Sequence, residues 1–277
     1  MKQLRFWFLA PARSLTFGLF LVPLAIVVVY SFLTRGTYGG QGQPFTLENY
    51  TRLSDPLYLE ILVKSFWIAS LSTAICLLMG FPLAMFIARS DPKWRGTWIN
   101  LVMLPFWTSF LVRTYAWMFL LRDTGLINTV LQGLGIIHDP LPLLYNDGAV
   151  ILGLVYGYLP FMVLPIYSTL ERQDPFLLEA AADLGATPWQ SLWRVTIPIS
   201  KPGILAGSVL VFIPCLGAYL TPDLMGGGKS IMIGNVVQQQ FTSARDWPFG
   251  ASLSLALTAL VMLLLWFVMK RGGKELI

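Results

Sequence analysis

The stretch Glu179-Ala-Ala-Ala-Asp183-Leu-Gly185-Ala-Thr-Pro188-Trp189-Gln-Ser-Leu-Trp193-Arg194-Val-Thr-Ile-Pro198 lies between two hydrophobic runs and decides how the rest of the chain is read. It is too polar to span a bilayer, yet it carries helical punctuation. Asp174 before Pro175 reads as an N-cap followed by proline at the first helical position. Gly185 suits the end of that short helix. Thr187-Pro188 repeats the start signal, and Trp189, Leu192 and Trp193, at i, i+3 and i+4, share one face of a second helix. The expectation is two short helices joined at a glycine, lying outside the membrane. Helix signals alone leave a second reading open, an ordinary loop packed on its own neighbours.

Working outward, 56% of the 277 residues are hydrophobic and 12% are charged, against about 25% charged in a soluble domain. This is the composition of a polytopic membrane protein. The net charge is +5, but the basic residues are dispersed and form no patch beside stacking aromatics, which sets nucleic acid aside. Cys76 and Cys215 both sit in apolar runs; no disulfide and no metal pair is expected. His138 stands alone in a polar loop and makes neither a metal site nor a triad, and no cofactor is expected. Lys2, Arg5 and Arg13 precede an apolar run in the manner of a signal peptide. The run is long and has no small-x-small cleavage pattern after it, so it reads as a retained first span.

Six apolar runs follow one another: 14–33, 63–88, 99–121, 149–170, 203–220 and 250–269. Each is near the ~20 residues that cross a hydrocarbon core. Pro82, Pro105, Pro160, Pro165 and Pro214 fall within them, tolerable where neighbouring helices or water satisfy the freed carbonyls, and several are expected to kink their helices. The fold class expected is all-α, a single transmembrane domain over 1–277 with six helices and both ends on one side. The positive-inside rule chooses that side. With the N-terminus in the cytoplasm, 12 of 19 basic residues face the cytoplasm, six face out, and Arg113 lies within the third run. Eight of 14 acidic residues then lie outside, among them Asp123, Asp139, Asp147, Asp223 and Asp246. Segment 171–202 becomes the longest cytoplasmic loop. No internal repeat argues for an inverted-repeat secondary transporter.

Gly226-Gly227-Gly228-Lys229-Ser230 imitates the end of a phosphate-binding loop. The full pattern needs a glycine where Asp223 stands, and the segment follows a hydrophobic span on the outer side, so nucleotide binding is rejected. No Ser-His-Asp set, zinc pattern or pair of carboxylates within the spans is present. The chain is therefore not read as an enzyme, and its structured cytoplasmic loop points to a partner.

Glu179-Ala180-Ala181, three residues, Gly185, nine residues, then Val195-x-Ile197-Pro198 resembles the EAA loop of ABC importer permease subunits, EAA-x3-G-x9-I-x-L-P. Valine replaces isoleucine and isoleucine replaces leucine, both conservative in size and polarity. Thr46-Leu47-Glu48-Asn49-Tyr50, Pro105-Phe106-Trp107-Thr108, Asp223-Leu224-Met225-Gly226-Gly227, Ile233-Gly234-Asn235-Val236 and Arg245-Asp246-Trp247-Pro248-Phe249-Gly250 look like the B-type permeases of spermidine/putrescine importers. That resemblance implies a type I importer of the bacterial inner membrane. In it two permease subunits, usually different, form the pore, an ATPase dimer powers it, and a periplasmic binding protein delivers a polyamine. It also implies that the loop docks on the ATPase through Glu179, Ala180, Ala181 and Gly185. Asp183, one turn after Glu179 on the same helix face, and Pro198, which closes the motif, complete the expected coupling set.

A cationic solute calls for carboxylates and aromatic faces that bind weakly enough to release. Asp223, Tyr219, Trp107, Asp246 and Trp247 are the candidates for the path. The competing reading gives Asp223 a helix-capping role and the aromatics an interfacial belt. Arg113 is expected to pair with a carboxylate or with carbonyls freed by a nearby proline, or to snorkel to the interface. Three alternatives stand beside the polyamine importer: import of another cationic or small polar solute, an ion-coupled secondary transporter, and a membrane scaffold.

Overall fold

The computed structural model describes residues 2–174 and 176–272, with side chains from 15 to 270 apart from Pro175. Pro175, expected at the first helical position, lies outside the described residues. So do the side chains of Lys2, Arg5, Arg13 and Arg271, and all of Lys274.

Helices dominate. In chain order they are α1 (Lys2–Ser31), α2 (Glu48–Arg52), α3 (Pro56–Arg89), α4 (Pro92–Trp107), α5 (Phe110–Leu121), α6 (Leu126–Gly133), α7 (Asp147–Glu171), α8 (Phe176–Asp183), α9 (Pro188–Ser191), α10 (Ile197–Leu216), α11 (Leu220–Gly226), α12 (Ile233–Phe241) and α13 (Trp247–Gly272). A π-helical turn, Leu192–Thr196, joins α9 to α10. The all-α expectation agrees with this, with one short exception. Leu33–Arg35 (β1) and Gln41–Phe45 (β2) pair as an antiparallel hairpin. The glycine-rich segment between them supplies its turn, with Gly39 and Gly40 both at positive φ.

Among the described residues, four helical stretches are long and apolar enough to cross a membrane: Pro56–Arg89, Asp147–Glu171, Pro188–Leu216 and Trp247–Lys270. Leu15–Ser31, the part of α1 whose side chains are described, is apolar as well. The third expected span, 99–121, is not one helix. It breaks at Thr108, which is extended, and Ser109, which is also non-helical, into α4 and α5. Pro105, inside the last turn of α4, weakens the ladder just before the break, because it gives no N–H to it. The fifth run also ends early: α10 stops at Leu216, and Leu220 opens α11. Prolines 82, 160, 165, 202 and 214 sit inside helices.

The chain divides into two compact units, Met1–Glu60 with Val236–Leu263, and Ile61–Asn235 with Leu264–Ile277. In the first, Asn49 is buried and donates to the carbonyls of Ser31 and Leu33, which holds α2 to the end of α1. Arg35 donates to the Ala244 carbonyl at 2.7 Å, and the Gly40 N–H reaches the Arg245 carbonyl. Arg52 pairs with Asp246 at 2.9 Å, and its guanidinium lies 4.0 Å from the centre of the Phe249 ring.

In the second unit α7 is the central helix. Val150, Leu154, Met162, Val163 and Ile166 on it are fully buried, as are Ile68, Cys76 and Ile87 on α3 and Val211, Cys215 and Leu216 on α10. Small residues set the close approach of α10 to α7. A Cβ at Gly203 would stand 2.6 Å from the Pro165 carbonyl oxygen, and one at Gly207 would stand 2.9 Å from the Met162 sulfur. The pair is spaced four residues apart, the small-xxx-small arrangement that brings membrane helices together. Large apolar side chains point outward on α1 (Phe17, Leu19, Phe20), α5 (Val112, Phe119) and α13 (Met262, Leu263, Trp266). Apolar surface of that extent fits a lipid or subunit boundary better than water.

Candidate functional site: the Asp174–Pro198 segment and the Tyr219–Asp223 turn

The segment begins where its sequence signals place it. The Asp174 carboxylate accepts the Phe176 N–H at 3.0 Å, capping α8. The far end of α8 closes on Gly185, at φ +79°. The Ala186 N–H reaches back to the Ala181 carbonyl at 2.9 Å and the Gly185 N–H to that of Ala182 at 2.8 Å. These two bonds make a Schellman ending, which requires a left-handed residue at that position. Thr187 then starts α9 with a full capping box. Its hydroxyl accepts the Gln190 N–H, and its own N–H donates to the Gln190 side chain. Trp189 and Trp193 meet edge to face, with ring centres 5.8 Å apart.

The second short helix is not a separate element, and here the reading from sequence is corrected. It runs through the π turn straight into α10, so Pro188–Leu216 is one continuous helical stretch. Pro198 gives the reason. Its ring would crowd the Arg194 carbonyl in a regular α-helix and it has no N–H to donate. The wider turn, in which the Ile197 N–H bonds to the Leu192 carbonyl, relieves the crowding.

Glu179, Ala180, Asp183, Gly185 and Pro198 are exposed, and Ala181 is half-buried. Neither Glu179 nor Asp183 makes an ion pair among the described residues. Around them Leu184 is 89% exposed, Phe176 72% and Trp189 66%. The capped turn thus presents large apolar side chains beside two carboxylates that make no ion pair among the described residues.

The path candidates separate into two kinds. Asp223 stands exposed in the first turn of α11, and half-exposed Tyr219 is the residue that caps that helix. The backbone of this turn is fixed: the Asp223 N–H bonds to the Tyr219 carbonyl at 3.0 Å, and Asn235 donates to the same oxygen at 2.7 Å. Trp107, the last residue of α4, is 67% exposed. No hydrogen bond or ring contact joins Trp107 to Tyr219 or Asp223 among the described residues. Asp246 is different. It is buried, one oxygen pairs with Arg52, and the other accepts the Phe249 N–H at the start of α13. Trp247 donates to the Phe241 carbonyl and stacks on Tyr30. Both oxygens of Asp246 are thus engaged inside the protein.

Arg113 takes the structural option. It donates to the carbonyl of Pro105 and lies over the rings of Phe110 and Tyr156. That carbonyl is freed by the helix break at Thr108 and Ser109, and the Thr108 hydroxyl shares it at 2.7 Å.

Two clusters escaped the sequence reading. Asp147 accepts from the Ser230 hydroxyl and pairs with Lys64 at 3.0 Å, while Lys64 also reaches the Lys229 carbonyl. The glycines that imitate a phosphate loop serve this clamp, with Gly227 and Gly228 at φ +55° and +75° and the Tyr145 ring packed against Gly227. Ser65 accepts the Ile233 N–H at 2.7 Å just beyond. The second cluster surrounds Arg95 and Glu171. Neither has a local motif, because each joins residues far apart in the chain.

The segment is capped at both of its short helices and exposed, and it stands among apolar helices long enough to cross a membrane. The chain belongs to the family of binding-protein-dependent transport system inner membrane components, whose model matches residues 6–271. It is a multi-pass inner-membrane protein. It is 44% identical over 256 residues to the spermidine/putrescine transport system permease protein PotB of Haemophilus influenzae, covering 92% of this chain and 89% of that one. With the protein of the same name from Escherichia coli K12 the identity is 46% over 244 residues, 88% of this chain and 89% of that one. Among solved structures, the bacterial alginate ABC transporter in complex with alginate pentasaccharide-bound periplasmic protein matches with a TM-score of 0.77 at 19% identity, over 98% of this chain and 96% of that one. A chain of the inward-facing MetNI methionine ABC transporter matches with a TM-score of 0.54 at 18% identity, over 80% and 97%. These two likenesses concern the fold.

Proposed function

We propose that this chain is one of two permease subunits of an ATP-driven importer for polyamines, spermidine or putrescine. The observation that carries the reading is its 44–46% identity, over about nine tenths of its length, with permeases named for those solutes. In this reading the chain passes the membrane six times, with α1 and the α4–α5 pair as passes, and both ends lie in the cytoplasm. Glu179, Ala180, Ala181, Asp183, Gly185 and Pro198 form the surface that meets a separate ATPase dimer. Closure of that dimer on ATP moves the docked segment. Because α9 continues into α10 without a joint, the movement enters the membrane along a helix instead of through a loop. A second permease subunit supplies the other half of the path, and a periplasmic binding protein delivers the solute.

The exposed Asp223 carboxylate beside Tyr219, with Trp107, supports a cation path: an ammonium group is attracted by a carboxylate and by aromatic faces without being held tightly. The guanidinium of Arg113, held on a carbonyl and two rings, is occupied in the fold. Asp246 and Trp247 are left out of the path because their polar groups are already engaged.

The test is uptake into proteoliposomes holding the complete importer, with binding protein outside and ATP inside, for labelled spermidine, putrescine and a neutral small polar solute. Uptake of either polyamine with rejection of the neutral solute supports the proposal. The reverse preference would overturn the substrate while leaving the importer reading in place.

A further inference from the structure

A cavity of about 430 Å³ lies where α3 and α7 end and α4 begins, beside α8, lined by Arg89, Arg95, Glu171 and Gln173. Its volume falls within the roughly 300–1,000 Å³ of small-molecule sites. The polar groups around it have an excess of donors. Arg89, the last residue of α3, makes no hydrogen bond or ion pair among the described residues. Arg95 uses its Nε on the Ser90 carbonyl at 3.0 Å, and its Nη1 stands 3.7 Å from Glu171, too long for a hydrogen bond. The Gln173 Nε2 is buried and has no acceptor among the described residues. On the other side of the balance, Glu171 already accepts from the Tyr167 hydroxyl at 2.6 Å. Two guanidinium groups against one carboxylate leave the cavity net positive.

A buried amide donor without an acceptor, beside an exposed guanidinium and a half-buried one with N–H groups to spare, calls for a ligand rich in acceptors and negatively charged. The remaining walls say which kind. Met85, Leu170 and Leu178 are apolar, and the cavity opens at the ends of two helices that are long and apolar enough to cross a membrane. It therefore stands at headgroup level, with apolar surface next to the charged groups. A free inorganic anion has no use for that surface; a lipid fits both parts. Basic pockets between helices at the membrane boundary take acidic headgroups in this way.

We propose that this cavity is a binding site for the phosphate of an anionic glycerophospholipid, with Arg89, Arg95 and Gln173 as its donors. The lipid would join the ends of α3 and α7 to Leu178 on α8, the helix of the partner-facing segment. The inference stands whatever solute the importer carries.

The experiment uses the complete importer, purified and delipidated in detergent. Binding of dioleoyl phosphatidylglycerol, dioleoyl phosphatidylethanolamine and inorganic phosphate is read by native mass spectrometry and by the shift in thermal midpoint. Phosphatidylglycerol should bind, phosphatidylethanolamine should bind less, and inorganic phosphate should not displace the lipid. Arg89→Gln should weaken phosphatidylglycerol binding roughly tenfold, the loss of about one charge-assisted bond. It leaves no internal partner unpaired, so assembly is preserved. Gln173→Leu should weaken the same binding while raising the lipid-free midpoint, because it removes a buried donor that lacks an acceptor. Lys93→Gln, a substitution at an exposed lysine outside the cavity, should change neither. Equal binding of the two lipids, displacement by inorganic phosphate, an equal loss from Lys93→Gln, or unchanged affinity in both cavity variants would overturn the proposal.

Discussion

Replacing Gly185 separates two explanations of the segment that the sequence motif alone cannot separate. One holds that glycine is needed for space against a partner. The structure supplies the other. Gly185 sits at φ +79°, and a Cβ added there would meet nothing within 4 Å. The cost of a side chain is thus one of backbone conformation. For alanine that is about 1–2 kcal/mol, the penalty of an L-residue in the left-handed region. It corresponds to roughly a 5–30-fold shift away from the native turn. Asparagine enters the region more readily than alanine, and a β-branched residue less readily than either. The expected order of coupled activity is therefore Gly185, then Gly185→Asn, Gly185→Ala and Gly185→Val. A space requirement gives a different order, with alanine ahead of the larger asparagine. The assay is solute-stimulated ATPase of the reconstituted importer, with recovery of the intact complex as a check on assembly. If Gly185→Ala outperforms Gly185→Asn, or if alanine is indistinguishable from glycine, the backbone argument fails.

Four further outcomes follow from contacts elsewhere. Asp246→Asn should destabilise the protein by about 1–3 kcal/mol, between the values for exposed and buried pairs, because Arg52 is 39% exposed while Asp246 is buried; thermal unfolding in detergent measures it. Gly203→Ala should cost about 1–3 kcal/mol, since its Cβ would press on the Pro165 carbonyl oxygen at 2.6 Å. Gly96→Ala on α4, where a Cβ meets nothing within 4 Å, should be neutral or stabilising by up to about 1 kcal/mol. Asp223→Asn should leave the thermal midpoint unchanged, because its carboxylate makes no hydrogen bond or ion pair among the described residues, and lower polyamine uptake several-fold. Unchanged uptake would remove Asp223 from the path.

The hydrophobic runs located most of the long helices, because a bilayer demands about twenty apolar residues whatever the tertiary contacts. They did not show the division of the third run, since two small hydroxyl residues, Thr108 and Ser109, between Trp107 and Phe110 do not interrupt an apolar window of about twenty residues. The cost of that break is met by Arg113, whose guanidinium takes the orphaned Pro105 carbonyl. The caps at Asp174, Gly185 and Thr187 were legible because each acts over three or four residues. The joining of α9 to α10 was not: a polar stretch and an apolar one read as separate elements, although the backbone passes between them in a π turn. Asp246 illustrates the limit for site residues. Asp223 and Asp246 are both acids near aromatic residues, and only the position of Arg52, nearly two hundred residues away in sequence, distinguishes the buried pair from the exposed carboxylate.

The central claim is that energy from a separate ATPase enters through the capped turn at Gly185. A thiol introduced by Ala180→Cys tests it directly, because Cys76 and Cys215 are both buried. In membranes containing the full importer, a short bifunctional thiol reagent should join this position to a cysteine in the surface cleft of the ATPase subunit. The yield should change when a non-hydrolysable ATP analogue is added. Absence of any product with the ATPase in the assembled complex, or labelling of the same thiol by an impermeant reagent applied outside intact cells, would contradict the account.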